Sequence, residues 1–223
     1  MSSIASNLKE VLAQLPEGVR LVAVSKYHPV SVLREAYDAG QRLFGESHVQ
    51  ELQQKVSQMP DDVEWHFIGH LQTNKVKYLA RYIAMIHAVD SMKLLREIDK
   101  QASKAGRCID VLLELHIAEE ETKYGFSVED CRQFMADGEW RELTHVRIRG
   151  LMMMASNTDD TRQIRQEMQQ ALDLFNELKQ QYFADDDSFD ERSWGMSHDF
   201  GIAVETGSTL VRVGTSIFGE REY

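Results

Sequence analysis

Short β-type runs alternate with helix-period segments along the whole chain, and no other feature limits the choice of fold as tightly. The runs are LVAVSK (21–26), RLFGES (42–47), EWHFIG (64–69), IAMIHAVD (83–90), IDVLLELHI (109–117), VRIRGLMMM (146–154), SWGMS (193–197) and TLVRVG (209–214). Between them, segments such as SVLREAYDAG, NKVKYLARY, SMKLLREIDKQASKAG and TRQIRQEMQQALDLFNELKQQYF carry apolar residues at three- and four-residue spacing, the pattern of a helix with one buried face. Strand-then-helix repetition argues for a parallel sheet covered by helices. Eight units predict an α/β fold of the (β/α)8, TIM-barrel type, with an open doubly wound sheet as the alternative. An extra N-terminal helix precedes it, with Ile4, Leu8, Val11, Leu12 and Leu15 on one face.

At 223 residues the chain suits a single barrel domain over 1–223, and no Pro/Gly/Ser-rich linker divides it. Gly40, Gly106 and Gly138 stand where helix C-caps are expected, and ADDDSFDE (184–191) reads as an exposed loop. No run approaches the roughly 18 apolar residues of a spanning helix, and the first twenty residues lack a signal-peptide core, which places the chain in the cytoplasm. A net charge of −11 argues against nucleic acid and anionic membranes as partners, since a phosphate polymer is repelled. Cys108 and Cys131 are too few and too far apart for a disulfide framework or zinc ribbon, and are expected to be buried free thiols.

Functional residues of parallel barrels gather at the C-terminal ends of the strands. Lys26 ends the first run, and alternation puts Val22, Val24 and Lys26 on the barrel interior at increasing height. A desolvated lysine there has the chemistry for carbonyl condensation, although a strand-end lysine also simply reaches solvent. At the other end of the chain, Gly214 and Thr215 open a short helical turn that fits an anion, and the hydroxyl of Ser197 adds a donor. Alternation from Gly214 turns Arg212 inward toward the same cavity. A closed barrel makes strands one and eight neighbours, so lysine, arginine and anion cradle come together. Pyridoxal 5'-phosphate (PLP), with aldehyde, phosphate and ring nitrogen, has a matching shape. A Schiff-base aldolase acting on a sugar phosphate would use the lysine and the cradle without needing the arginine. The run Met152-Met153-Met154 reads as an inner-strand core with one member, taken as Met152, against the flat ring of a ligand; core packing is the competing role for any single methionine. His66 and His70 of WHFIGH share a helix face only if the segment is helical, and it reads as strand plus turn; a structural or pocket-lining role is therefore expected and no metal. Asn74 and Lys75 are expected to begin the following helix.

The motifs LVAVSKYHPV, RLFGESHVQE, WHFIGHLQTNK, HAVDS, EETKYGF, RGLMMM and SWGMSHDFGIAVETGSTLVRVGTSIFGER, in this order, resemble the pyridoxal phosphate homeostasis protein family. That family is similar to the N-terminal barrel of alanine racemase and lacks its C-terminal β domain. The resemblance implies a PLP-bearing Lys26, an Arg212 facing the pyridine nitrogen, and phosphate contacts from Ser197, Gly214 and Thr215. A ring contact falls on Ser47, within Phe44-Gly45-Glu46-Ser47-His48, where the family shows FGEN followed by Tyr. His116 also stands where asparagine is expected.

Three functions follow for comparison: a PLP carrier, a racemase-like enzyme and a lysine-dependent aldolase. Racemisation by two bases needs an acid/base group on each face of the substrate, and Lys26 serves only one. A permanent cation at the ring nitrogen further weakens the ring as an electron sink. The expected function is therefore PLP homeostasis, with the cofactor held as a Schiff base and released to acceptors such as apo PLP-dependent enzymes. No catalytic residue is assigned, and a monomer is expected.

Overall fold

The computed structural model describes residues 3–117 and 124–220. Helix α1 (Ser3–Leu12) precedes β1 (Arg20–Val24), α2 (Val30–Asp38), β2 (Leu43–Glu46), α3 (Val49–Val56) and β3 (Glu64–Phe67). A 3₁₀ helix (Thr73–Tyr78) leads into β4 (Met85–Val89), α4 (Met92–Lys104), β5 (Ile109–Leu115) and α5 (Val128–Asp137). A second 3₁₀ turn (Glu139–Glu142) is followed by β6 (Val146–Met153), α6 (Thr161–Tyr182), β7 (Glu191–Ser193), α7 (Phe200–Glu205), β8 (Leu210–Val213) and α8 (Thr215–Phe218). The strands close a barrel in the order β1 to β8. Its seam is the parallel pair of β1 with β8, in which Val22 faces Arg212 and Ala23 faces Val213. The expected barrel with an N-terminal helix is the observed fold, and the open sheet is excluded.

Strands buried on both faces divide their side chains between two cores. Val22, Leu43, Met85, Ala88, Leu112, Met152 and Leu210 fill the barrel interior. A larger core, including Ala23, Phe44, Phe67, Leu113 and Val213, packs the outside of the sheet against the helices. The alternation is broken in β4, between Ile86 and Val89, and in β6, where Val111 pairs with Ile148 but Leu112 pairs with Gly150. Arg149 is thus an extra residue, a bulge that returns Met152 to the interior. Gly150 makes it feasible: its φ is +150°, and a Cβ there would lie 1.8 Å from the Glu191 carbonyl oxygen.

Several expectations are corrected. The seventh strand is Glu191–Ser193, starting two residues before SWGMS and sharing only Ser193 with it; the remaining residues of SWGMS form the loop after it. The positive φ of Gly195 (93°) stops the extended conformation there. Lys26 stands in a turn beyond β1, which ends at Val24. NKVKYLARY forms only the tight Thr73–Tyr78 turn, so Asn74 and Lys75 sit in a 3₁₀ helix. Helix α1 buries Ile4, Leu8 and Val11 but ends at Leu12, which is exposed. Cys131 is buried as expected; Cys108 is exposed, because it lies where the chain crosses the surface ahead of β5. The acidic loop is pinned by Phe189, which is fully buried and stacked on Phe175 and Phe183, and Glu191 is buried. Part of the EETKYGF motif, residues 120–123, lies outside the described residues. Among the described residues, no helix is long and apolar enough to cross a membrane.

Candidate functional site

A cavity of about 190 Å³ opens at the C-terminal end of the barrel. Lys26, Ser47, Ser197, Arg212, Gly214 and Thr215 all line it, together with Val24, Ile68, Met154 and His198. Barrel closure brings the first and last motifs together, as the pairing of β1 with β8 requires.

The turn carrying Lys26 is held from behind by a buried network. The Ser25 amide donates to the Gly45 carbonyl at 3.0 Å, and the Ser25 hydroxyl donates to Glu46 Oε1 at 2.5 Å. Lys55 Nζ donates to the Ser25 carbonyl (2.8 Å), to Glu46 Oε1 (2.7 Å) and to Glu51 Oε1 (2.7 Å). The same Glu51 oxygen accepts the Tyr27 amide at 2.6 Å. Tyr27 has φ of 68°, the only left-handed non-glycine among the described residues. Such a backbone costs on the order of 1–2 kcal/mol, and the contacts of Glu51 and Lys55 hold it in place. The residues on both sides of Lys26 are thereby fixed, so its side chain leaves the strand end in a defined direction. Burial pushes the Glu46 carboxyl up to about 7, against the opposing pull of Lys55 and Ser25.

Arg212 is 4% exposed. Its Nη1 donates to the Ser193 carbonyl and to Ser193 Oγ, both at 2.6 Å, and its Nη2 donates to the Met153 carbonyl at 2.9 Å. A guanidinium has five N–H groups, so these three bonds leave two for whatever occupies the cavity. Burial pulls its pKa down to about 10, with Asp199 and Glu114 opposing, and it stays a cation at neutral pH. Glu114 projects inward from β5, 4% exposed and with Oε2 lacking a hydrogen-bond partner. Burial, then the Asp90 charge, push its carboxyl up to about 7 while Arg212 opposes them.

The corner where an anion is expected is built on Gly214. Its amide donates to Ser197 Oγ at 3.2 Å, and a Cβ at this position would come within 3.0 Å of the Val24 carbonyl oxygen. Glycine therefore lets β8 close against β1 where the cavity needs room. The Thr215 and Ser216 amides lie in the first turn of α8, where no intrahelical acceptor exists for them.

Met152 is buried in the barrel interior with Val22 and Leu210, the core-packing role, and it is Met154 that lines the cavity. Both point inward, but Met154 stands one layer higher, at the mouth. His66 is fully buried on β3 and bonds to His87 and Glu64, whereas His70 lies against Asp90 and stacks on Tyr124. Among the described residues, no three His, Cys, Asp or Glu side chains are grouped to hold a metal. Glu46, Glu51, Lys55 and Glu114 were not expected at the site. Glu46 and Glu114 are charged residues near the buried ends of apolar strands, and Lys55 lies on the buried face of α3; Glu51, in the first turn of α3, carries no comparable signal.

A family model described as the N-terminal domain of alanine racemase matches residues 1–222. A pyridoxal phosphate homeostasis protein of Aquifex aeolicus is 40% identical over 206 residues, covering 92% of this chain and 88% of that protein. A protein of the same name from Escherichia coli K12 is 36% identical, with 100% and 99% covered. Among solved structures, PipY of Synechococcus elongatus with PLP bound superposes with a TM-score of 0.86 at 38% identity, over 97% of this chain and all of that one. An alanine racemase of Clostridium difficile superposes with a TM-score of 0.76 at 14% identity, over 100% of this chain and 58% of its own, a likeness of fold alone.

Proposed function

The chain belongs to the pyridoxal phosphate homeostasis proteins of the alanine racemase N-terminal domain family, and on that premise we propose that it binds PLP as a Schiff base on Lys26 and releases it to acceptors. The observation that carries this reading is one cavity lined by Lys26, by Arg212 with two uncommitted N–H groups, and by the Ser197, Gly214 and Thr215 corner. These residues fit the cofactor. Lys26 supplies the amine, Arg212 a donor for the ring nitrogen, and the Ser197 hydroxyl with the Thr215 and Ser216 amides, which Gly214 leaves room for, the donors for a phosphate. Ser47 and Met154 supply wall contacts for the ring.

Bound PLP supplies an aldehyde for condensation and a ring able to draw electrons. Arg212, a donor with no acceptor atom, favours the unprotonated ring nitrogen and so a weak electron sink. Lys26 offers an acid/base group on one face only. Holding and releasing the cofactor, without robust turnover of amino acids, is the function this combination supports. We place it in the cytoplasm, in a single domain spanning 1–223 acting as a monomer, with apo PLP-dependent enzymes as recipients.

Purified protein incubated with PLP and reduced with borohydride should carry a phosphopyridoxyl group on Lys26 by mass spectrometry, and Lys26→Ala should carry none there. Absence of an adduct at Lys26 in the native chain overturns the proposal. A visible absorbance band of the PLP-loaded protein separates it from a cofactor-free aldolase. Transfer to an apo-enzyme, measured beside racemisation of alanine, separates carrier from enzyme: rapid racemisation refutes the carrier reading.

A further inference from the structure

Five side chains form one unbroken hydrogen-bonded line through the barrel interior, and its order of protons is fixed by its two ends. Glu64 Oε1 lies 3.0 Å from His66 Nε2, and His66 Nδ1 lies 2.7 Å from His87 Nε2. His87 Nδ1 lies 3.0 Å from Ser193 Oγ, which lies 2.6 Å from Arg212 Nη1. His66, His87 and Ser193 are fully buried. Glu64, at the start of β3, is partly exposed at the N-terminal mouth, beside Arg20. Arg212 borders the cavity at the other end.

A guanidinium can only donate. Ser193 Oγ therefore accepts from Arg212. At the other end the Glu64 carboxylate only accepts, so His66 is protonated on Nε2, and a neutral His66 uses Nδ1 to accept from His87 Nε2. A neutral His87 protonated on Nε2 in turn accepts the Ser193 hydroxyl hydrogen at Nδ1. Every group is satisfied in this arrangement of neutral imidazoles. Protonating His87 would bury a second cation close to Arg212. Burial lowers the pKa of both imidazoles, in keeping with the neutral forms.

We propose that His66, His87 and Ser193 are positioning residues: a tautomer-locked relay, anchored on Glu64, that fixes the Arg212 fork toward the cofactor ring. The relay rests on the PLP reading for its purpose, and on the apo geometry for its existence. By holding both Nη1 hydrogens on Ser193, it leaves the remaining edge of Arg212 as the donor presented to a ring nitrogen. The ring environment is thus set from the opposite end of the barrel.

Two measurements test it. On the apo protein, ¹⁵N–¹H correlation spectra of the imidazoles should show His66 and His87 neutral and protonated on Nε2 between about pH 6 and pH 8. A His87 proton on Nδ1, or a charged imidazole at neutral pH, overturns the relay even if PLP binds. On the PLP-loaded protein, Ser193→Ala should weaken PLP affinity about tenfold and shift the pH at which the bound cofactor's absorbance titrates, and Ser193→Thr should restore both. An unchanged titration and affinity in folded Ser193→Ala also overturns it. If the native chain binds no PLP, the function fails, and the apo spectra alone decide whether the relay stands.

Discussion

Lys26 depends on residues that never enter the cavity. Lys55 is the centre of this support, with its ammonium shared among the Ser25 carbonyl, Glu46 and Glu51. Removing one partner of a buried ion pair leaves the other charge uncompensated, at a cost of about 3–5 kcal/mol. Lys55→Met should therefore destabilise the protein by about 3 kcal/mol at pH 8. The loss should shrink at pH 6, where Glu46, with its carboxyl at about 7, is protonated and leaves no bare charge. Urea denaturation at the two pH values measures the difference, and an equal loss at both would show that the charge is not the cause. The lysine, the arginine and the glycine corner were legible in the sequence because strand alternation and barrel closure alone bring them together. The support was not: Glu46, Glu51 and Lys55 read as ordinary charged residues until β2 and α3 are docked behind β1. Which methionine lines the cavity was illegible for a related reason, since alternation gives the face a side chain points to but not the height at which the cavity begins.

Among the elements, β6 shows how far periodicity reaches. The alternation in VRIRGLMMM marks a strand, and a strand is found, but the Arg149 bulge reverses its inside and outside halfway along. Nothing in the apolar pattern announces a bulge; the nearest signal is an isolated glycine inside a strand. Gly150→Ala tests how much this junction matters. The added Cβ collides with the backbone of Glu191 at 1.8 Å, and backbone cannot turn aside as a flexible side chain can. Overpacking and a positive φ together predict a loss of about 3 kcal/mol. Gly40→Ala is the contrast: its φ is also positive, at +104°, but no atom lies within 4 Å of the added Cβ, so only about 1 kcal/mol is expected. Equal losses for the two would remove the Glu191 contact from the account. The seventh strand was misplaced on similar grounds. SWGMS has strand-like residues, but the short ERS segment carries the sheet pairing to β6.

At the scale of the whole molecule, the protein buries two kinds of titratable group that oppose each other. Burial pushes Glu46 and Glu114 up to about 7 and pushes His66 and His87 down. Between about pH 4.5 and 7 the native chain keeps carboxyl protons that the unfolded chain has released, so these two groups make stability fall as pH rises. Below about pH 6.5 the unfolded chain binds imidazole protons that the native chain refuses, so the histidines make stability rise with pH up to that point. Each group contributes a slope of up to about 1.4 kcal/mol per pH unit. The two pairs act with opposite sign below about pH 6.5, so the urea midpoint of the native protein should change less with pH there than either pair alone would make it. Glu114→Gln removes one carboxyl and should tilt the profile upward with pH, ending about 2 kcal/mol above the native protein at pH 8. His87→Gln removes one imidazole and should tilt it downward over the same range, whatever constant loss it brings by breaking the relay. Urea midpoints at half-unit pH steps measure all three profiles. Parallel profiles would mean that these buried groups do not change protonation on unfolding, and would remove the opposition between acids and imidazoles as the reason the protein tolerates so many buried polar groups.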